Sequence, residues 1–392
     1  MSHVDLPSLR SLLALTHRSA PGAECLNESR PLVLFGAGGR GRSLLRGLRA
    51  VGAPPVAFSD NQPALWGTFI EGLPVLAPAE AAAMHPDAVF VATIWSDRIG
   101  HPLAALQAQL AALGIKRVAS FTALYARFPE QFFPDFFLES PGFIQGSEAE
   151  IEAAAALWSD AASVREFISQ LKLRLTLDFS VIAGPCSYEA YFPPDLFALT
   201  PMEVFVDCGA YDGDTYRDFL RASGGVFARY IALEPDSLNF AKLSSAAGAE
   251  AFGDAPRVLL YPVGAAEEAC VMRFSSEGSP QSRASGDGTQ KITCVALDEI
   301  LRDEAPTYIK MDIEGAEAAA LRGAAATLAR HRPILAVSAY HSAADLWKLP
   351  LLIAGLVKDY AFFLRPEKHA GWDLVCYAVP SERLLSTAKT SQ

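Results

Sequence analysis

Val204-Phe205-Val206-Asp207-Cys208-Gly209-Ala210-Tyr211-Asp212-Gly213-Asp214-Thr215 is a short apolar run that ends in an acid, a glycine and, four residues on, a second glycine. Val204 to Val206 has the length and apolar character of a buried parallel strand. Thr215-Tyr216-Arg217-Asp218-Phe219-Leu220 then reads as the opening of a helix. Strand, glycine turn and helix are the parts with which a doubly wound sheet holds a nucleotide at the carboxyl ends of its strands. Gly209 and Gly213 accept backbone angles that other residues resist, and they let a ligand approach the main chain.

The turn carries Asp207, Asp212 and Asp214 with no Lys or Arg among them. It would repel a pyrophosphate. It suits a ligand with positive charge and N–H or O–H donors, and S-adenosylmethionine, with a sulfonium, an ammonium and ribose hydroxyls, is of that kind. A second apolar strand, Tyr230-Ile231-Ala232-Leu233, runs into Glu234-Pro235-Asp236. It lies about twenty residues after the glycine turn, where a ribose-binding carboxylate belongs. The expected cofactor contacts are therefore Asp207, Gly209, Ala210, Asp212, Gly213, Asp214, Thr215, Glu234, Pro235 and Asp236. A strand from Val258 to Val263 leads to Gly264 and Ala265, where this fold rests an adenine ring.

A third run is Tyr308-Ile309-Lys310-Met311-Asp312-Ile313-Glu314-Gly315-Ala316-Glu317, followed by Leu321-Arg322-Gly323-Ala324. On the motifs VDCGAYDGDT, LEPD and IKMDIEGAEAAALRGA, the sequence resembles the FkbM family of S-adenosylmethionine-dependent methyltransferases. The resemblance spans roughly residues 200 to 380, and the Lys-x-Asp-x-Glu-Gly-x-Glu pattern is its most specific part. It implies a class I methyltransferase sheet of seven strands and O-methylation of sugars, glycolipids or polyketide hydroxyls. The stretch Leu364-Arg365-Pro366-Glu367 departs from the pattern expected after the arginine.

The chain has 392 residues, of which 51% are hydrophobic, and a net charge of -11. That length predicts two domains. The acidic balance argues against nucleic acid or an anionic membrane as the main partner. The six cysteines include no CxxC pair, so zinc and a redox dithiol are not expected, and Cys208, Cys294 and Cys376 read as small core residues. No secretion signal and no apolar run of membrane-spanning length is visible, so a cytoplasmic location is expected. A homo-oligomer is compatible with the composition.

The predicted organisation is an α/β chain with two Rossmann-like units joined by a largely helical segment. An N-terminal extension covers 1–29. A small Rossmann-like domain covers 30–125, a helical linker 126–200, the methyltransferase domain 201–380 and a polar tail 381–392. The small domain rests on Pro31-Leu32-Val33-Leu34-Phe35, the loop Gly36-Ala37-Gly38-Gly39-Arg40-Gly41, and a second strand ending at Asp60. That is a G-x-G-x-x-G in strand–turn–helix context. Residues 58 to 75 are also similar to the small N-terminal domain of bacterial sugar acyltransferases, which implies a nucleotide-sugar ligand. A docking surface, a nucleotide-sugar site and an NAD site with Asp60 on a ribose are the three readings, in that order. Residues 148 to 174 carry helical periodicity. The aromatics of 185–193 line a substrate mouth or plug the domain interface. The Ser- and Gly-rich stretch 275–289 is a lid or a connector.

Methyl transfer to a hydroxyl needs alignment and removal of a proton. Asp312 ends the fourth strand at the lip of the cleft, Glu314 and Glu317 follow it, and His341 ends the fifth strand beside Tyr340. Asp312, Lys310, His341 and Glu314 are the catalytic candidates. Lys310 lies two residues from Asp312 on one strand face, as its partner or as a holder of the acceptor oxygen. Asp312 and Glu314 are also candidate ligands for a divalent metal. The expected acceptor is a small molecule or glycan, a nucleotide-linked sugar included. The rival function is a bifunctional or binding protein of glycan assembly whose N-terminal half takes NAD or a nucleotide-sugar.

Overall fold

A computed structural model of the chain describes residues 6–15, 20–95, 102–182, 191–248, 257–275, 283–284, 290–368 and 371–385. The first unit follows helix α1 (Leu6–Leu13). It contains β1 (Leu32–Phe35), α2 (Gly39–Ala50), β2 (Ala57–Ser59), β3 (Phe69–Ile70), β4 (Leu73–Leu76), α3 (Pro78–Met84), β5 (Val89–Ala92), α4 (Pro102–Ala112) and β6 (Val118–Ser120). The strands order as β3-β4-β2-β1-β5-β6. The three pairs involving β1 and β6 with β2 and β5 are parallel, as expected of apolar strands covered on both faces. The hairpin of β3 and β4 is not anticipated by the sequence pattern. Its turn is Glu71-Gly72, both left-handed (φ 49 and 79). That is the backbone of a tight hairpin whose usual signature is Asn-Gly.

The joining segment holds α5 (Phe121–Arg127), α6 (Pro129–Phe132), α7 (Pro141–Gln145), α8 (Glu148–Ala155) and α9 (Ala161–Thr176). The helical periodicity of 148–174 is thus interrupted at 156–160. The cause is Asp160, which caps α9 by accepting the Ser163 N–H at 2.7 Å.

The C-terminal unit runs β7 (Val204–Cys208), α10 (Asp214–Ser223), β8 (Arg229–Leu233), α11 (Ser237–Ala247), β9 (Val258–Tyr261), then β10 (Gly264–Ala266), β11 (Cys270–Ser275), β12 (Arg283–Ala284) and β13 (Gln290–Ala296). It continues with α12 (Leu297–Ile300), β14 (Tyr308–Met311), α13 (Glu317–Arg322), α14 (Ala325–His331), β15 (Ile334–Ser338), α15 (Asp345–Leu356), β16 (Tyr360–Pro366) and β17 (Leu374–Pro380). Seven strands order as β16-β17-β15-β14-β7-β8-β9. Strand β17 is antiparallel to both neighbours, making the closing hairpin that the sequence predicts. Strand order reverses between β14 and β7, and a sheet of this kind binds its ligands beyond the carboxyl ends of the strands at such a switch point. Strands β10 to β13 form a separate four-stranded sheet. Most of 275–289 lies outside the described residues.

Side chains alternate across the sheet. Phe205, Tyr230, Tyr308 and Tyr377 pack on one face, while Val206, Cys208, Ile309 and Met311 point to the other. The second face belongs to one apolar cluster that also includes Leu34, Phe58, Phe121 and Phe137 of the first half. At the junction Trp95, just past β5, lies 5.0 Å from Trp372 between ring centroids, and Phe136 lies 5.2 Å from Trp372. The two units therefore share a continuous core.

The joining segment also closes the outer edge of β16. Trp158 bridges to Phe362. The Ser159 N–H donates to the Phe362 carbonyl at 2.9 Å, and the Leu364 N–H donates to Ser163 Oγ at 2.9 Å. Arg365 ends this seam, 2.6 Å from Asp160. Among the described residues no helix is long and apolar enough to cross a membrane.

Candidate active site

The glycine turn after β7 is built as a tight shelf. Gly209 and Gly213 are left-handed (φ 80 and 85). A Cβ on Gly209 would lie 1.9 Å from the Asp312 carbonyl oxygen, so the turn rests directly on the end of β14 and admits only glycine. Glu234, buried past the end of β8, accepts the Tyr211 N–H at 2.9 Å and the Asp236 N–H at 2.8 Å. Burial pushes its carboxyl up to about 7, against those two N–H bonds. Asp212 pairs with Arg217 at 2.9 Å. Asp214 opens α10, exposed, and accepts the Thr215 N–H at 2.7 Å.

Three expected cofactor contacts also serve the fold. Asp236, wholly buried, caps α11 by accepting the Leu238 and Asn239 N–H groups at 2.9 and 3.0 Å. Gly264 and Ala265 lie inside β10, paired with Cys294 and Val295. A Cβ on Gly264 would meet Cys294 Sγ at 2.9 Å, so the small residue answers a packing need there.

Asp207 and Lys310 stand directly opposite each other on β7 and β14. Their charges meet at 3.0 Å, with side chains 0% and 2% exposed. Lys310 also donates to the Gly209 carbonyl at 2.7 Å, and Tyr230 donates to the other Asp207 oxygen at 2.6 Å. Burial alone would lower the lysine; Asp207, with Asp312 and Asp214 behind it, outweighs that and holds it above its ordinary range as an ammonium. The close partner of Lys310 is thus Asp207 rather than Asp312. The lysine ties strand to turn.

Asp312 sits just past β14. Its Oδ2 accepts the Tyr191 hydroxyl at 3.0 Å and its Oδ1 the Tyr340 hydroxyl at 3.3 Å. Burial works to raise its carboxyl, but Lys310 and His341 pull harder and leave it below the usual range. Tyr191 is held in a left-handed backbone (φ 71). Its N–H donates to the Tyr377 hydroxyl at 3.1 Å, and its carbonyl accepts the Tyr308 hydroxyl. A bulky residue at positive φ is uncommon and costs energy, and here the neighbours on the sheet enforce it. The Tyr191 ring also lies 5.1 Å from the Lys310 ammonium. Of the rest of the aromatic stretch, Phe192 packs on Phe205 and Tyr308 at 5.6 and 5.8 Å between ring centroids, and 185–190 lies outside the described residues.

His341 follows β15 with a side chain 4% exposed. Its Nδ1 is 3.0 Å from Glu317, and its Nε2 is 3.3 Å from Asp312 and 3.8 Å from Glu314. Burial would lower its pKa, but Glu317, Asp312 and Glu314 carry it up to about 10. With no cation among these carboxylates it is therefore their charged partner at neutral pH and a poor base. The structure brings Asp312, Glu314 and His341 together, with Glu317 and Tyr340 that the sequence sets beside them, and adds Tyr191.

The glycine loop of the first unit is spent internally. Asp60 accepts the Ala37 and Gln62 N–H groups, each at 2.8 Å. Arg40 turns away from the loop, 4.6 Å above the Trp95 ring, and pairs with Asp135 and, at 2.9 Å, with the Tyr125 hydroxyl.

Residues 207–365 match the methyltransferase FkbM domain. The solved methyltransferase FkbM from Methylobacillus flagellatus KT is 25% identical, with a TM-score of 0.77 over 95% of this chain and 96% of that one. An rRNA methylase from Streptococcus thermophilus is 15% identical, with a TM-score of 0.29 over 47% of this chain and 90% of that one. Aeropyrum pernix fibrillarin, solved with natively bound S-adenosyl-L-methionine, is 13% identical, with a TM-score of 0.30 over 46% and 69%. Likeness as slight as the last two has no bearing on function. No curated protein matches the chain. Residues 207–365 are thus a methyltransferase FkbM domain.

Proposed function

We propose that the protein transfers the methyl group of S-adenosylmethionine to a hydroxyl oxygen of a sugar, a glycan or a related natural product. The observation that carries this is the contact between the glycine turn and the main chain of Asp312. On this reading the glycine turn would be the shelf for the methyl donor, and Asp312 beside it the acid that orients an acceptor hydroxyl. Glu234 would take the ribose hydroxyls. The Asp207–Lys310 pair would hold the shelf still, so that the sulfonium and the acceptor meet in line.

In the transfer the S–CH3 bond breaks as the O–CH3 bond forms, and neutral S-adenosylhomocysteine leaves. The acceptor hydroxyl becomes a far stronger acid as its oxygen is alkylated. A carboxylate held below the usual range, such as Asp312, then still suffices to take the proton, and no group tuned to pH 7 is needed. Tyr191 and Tyr340 hold the Asp312 oxygens in place for it.

Calorimetric titration of the full chain with S-adenosylhomocysteine tests the reading. One-to-one micromolar binding is expected, and nucleotide-sugars are the acceptors to try next. Absence of binding by the folded protein would overturn it. Glu234 adds a pH signature. Its folded pKa of about 7 lies above its ordinary 4.5. The stability it contributes is therefore complete at low pH and is lost as pH rises through about 7. The ribose hydroxyls need the ionised form as acceptor, so affinity should weaken as pH falls below about 7. Glu234→Gln should bind more weakly with a flat profile; an unchanged slope in that variant would count against the role of Glu234.

In the first unit, the engagement of Asp60 and Arg40 favours a docking role over a working NAD site.

A further inference from the structure

We propose that the crevice holds a divalent cation on Asp312, Glu314 and Nε2 of His341, with Glu317 as the residue that orients the imidazole. The proposal rests on the reading of the crevice as a methyltransferase site and deepens it. Asp312, Glu317 and His341 each place a donor atom within 4.8 Å of the others. Acidic clusters are common without ions, so the imidazole is the deciding feature. Its side chain is almost fully buried, yet Nε2, turned toward Asp312 and Glu314, makes no hydrogen bond. An imidazolium kept only for its charge would turn its N–H bonds onto the carboxylates around it.

The roles divide by geometry. Glu317 is 1% exposed, and its Oε1 already accepts the Ile313 N–H at 2.8 Å while standing 3.0 Å from Nδ1. That is the place of a carboxylate which fixes a ligating histidine from behind. Nε2 then faces Asp312 Oδ1 at 3.3 Å and Glu314 Oε2 at 3.8 Å. Donors about 2.1 Å from a common cation, at angles between octahedral and tetrahedral, stand about 3.0–3.4 Å apart. Asp312 already meets that spacing, and Glu314, at the strand-end turn, is within a small adjustment of it. One imidazole with two carboxylates suits Mn2+ or Zn2+ better than Ca2+, which prefers oxygen alone. A cation there would leave a coordination position toward the crevice for an acceptor oxygen.

The test is titration of the chelator-stripped full chain with Mn2+, followed by the spectrum of free Mn2+, and in parallel with S-adenosylhomocysteine. One Mn2+ site is expected, with no comparable Ca2+ binding. Glu314→Gln and His341→Ala should each weaken Mn2+ binding by about 10–100-fold, and Glu317→Gln by a similar factor through its hold on the ring. If His341→Ala fails to fold, Glu314→Gln decides. Mn2+ binding that survives Glu314→Gln unchanged overturns the site. So does a wild-type protein that takes S-adenosylhomocysteine but no Mn2+, and in that case the methyltransferase reading stands. If S-adenosylhomocysteine fails to bind, the methyltransferase reading falls and takes with it the cation's part in methyl transfer.

Discussion

Asp312→Ala is expected to lower methyl transfer by about 10³-fold, within the 10²–10⁴ range of a positioned proton acceptor, with S-adenosylhomocysteine affinity changed only a few-fold. The substitution removes the acceptor of the Tyr191 and Tyr340 hydroxyls and one of the carboxylates facing His341. It leaves the Asp312 carbonyl, on which Gly209 rests, in place. Single-turnover rates with labelled donor and calorimetry on the same preparation separate the two effects. Turnover near the wild-type value would remove Asp312 from the chemistry. Loss of cofactor binding in parallel would instead make it part of the donor shelf.

Lys310→Met is expected to cost about 3–5 kcal/mol of stability, the usual price of leaving one member of a buried pair without its counter-charge. Asp207 would be left with the Tyr230 hydroxyl alone, in a setting where both side chains are almost fully buried. Urea denaturation measures the loss. Pairing the substitution with Asp207→Asn removes the orphaned charge, so the double variant should recover much of the stability. It should not recover cofactor affinity, because the tie between Lys310 and the Gly209 carbonyl is gone as well. A double variant no more stable than the single one would mean that Lys310 acts through packing and not through charge.

The residues at strand ends were legible because a parallel sheet announces itself. Asp207, Glu234, Asp312 and His341 each follow an apolar run, and the sheet brings the ends of such runs to one crevice. What escaped was anything set by register or by distant chain. The partner of Lys310 follows from β14 lying beside β7 with these two residues opposed, and local spacing pointed to Asp312 instead. Tyr191 belongs to no strand and reaches Asp312 across 121 positions of sequence. Its role depends on a backbone angle that Tyr308 and Tyr377 impose. Asp236 reads as a ligand contact because it follows Glu234, but a carboxylate one residue before a helix is as readily a cap, and here it caps α11. The Glu71-Gly72 hairpin and the break at 156–160 were lost for a like reason: a short turn signal was outweighed by the pattern on either side.

The seam between residues 158–163 and β16 makes the C-terminal unit less portable than its contiguous sequence suggests. Cut at residue 200, the seven-stranded sheet would present Phe362 and Leu364 with their main-chain groups bare and Arg365 without Asp160. An open strand of that kind is a template for pairing with another chain, and edges in natural sheets are covered or blunted against it. The helical segment is therefore a selvedge sewn to the sheet, and a fragment lacking it would be prone to aggregate however complete its catalytic crevice.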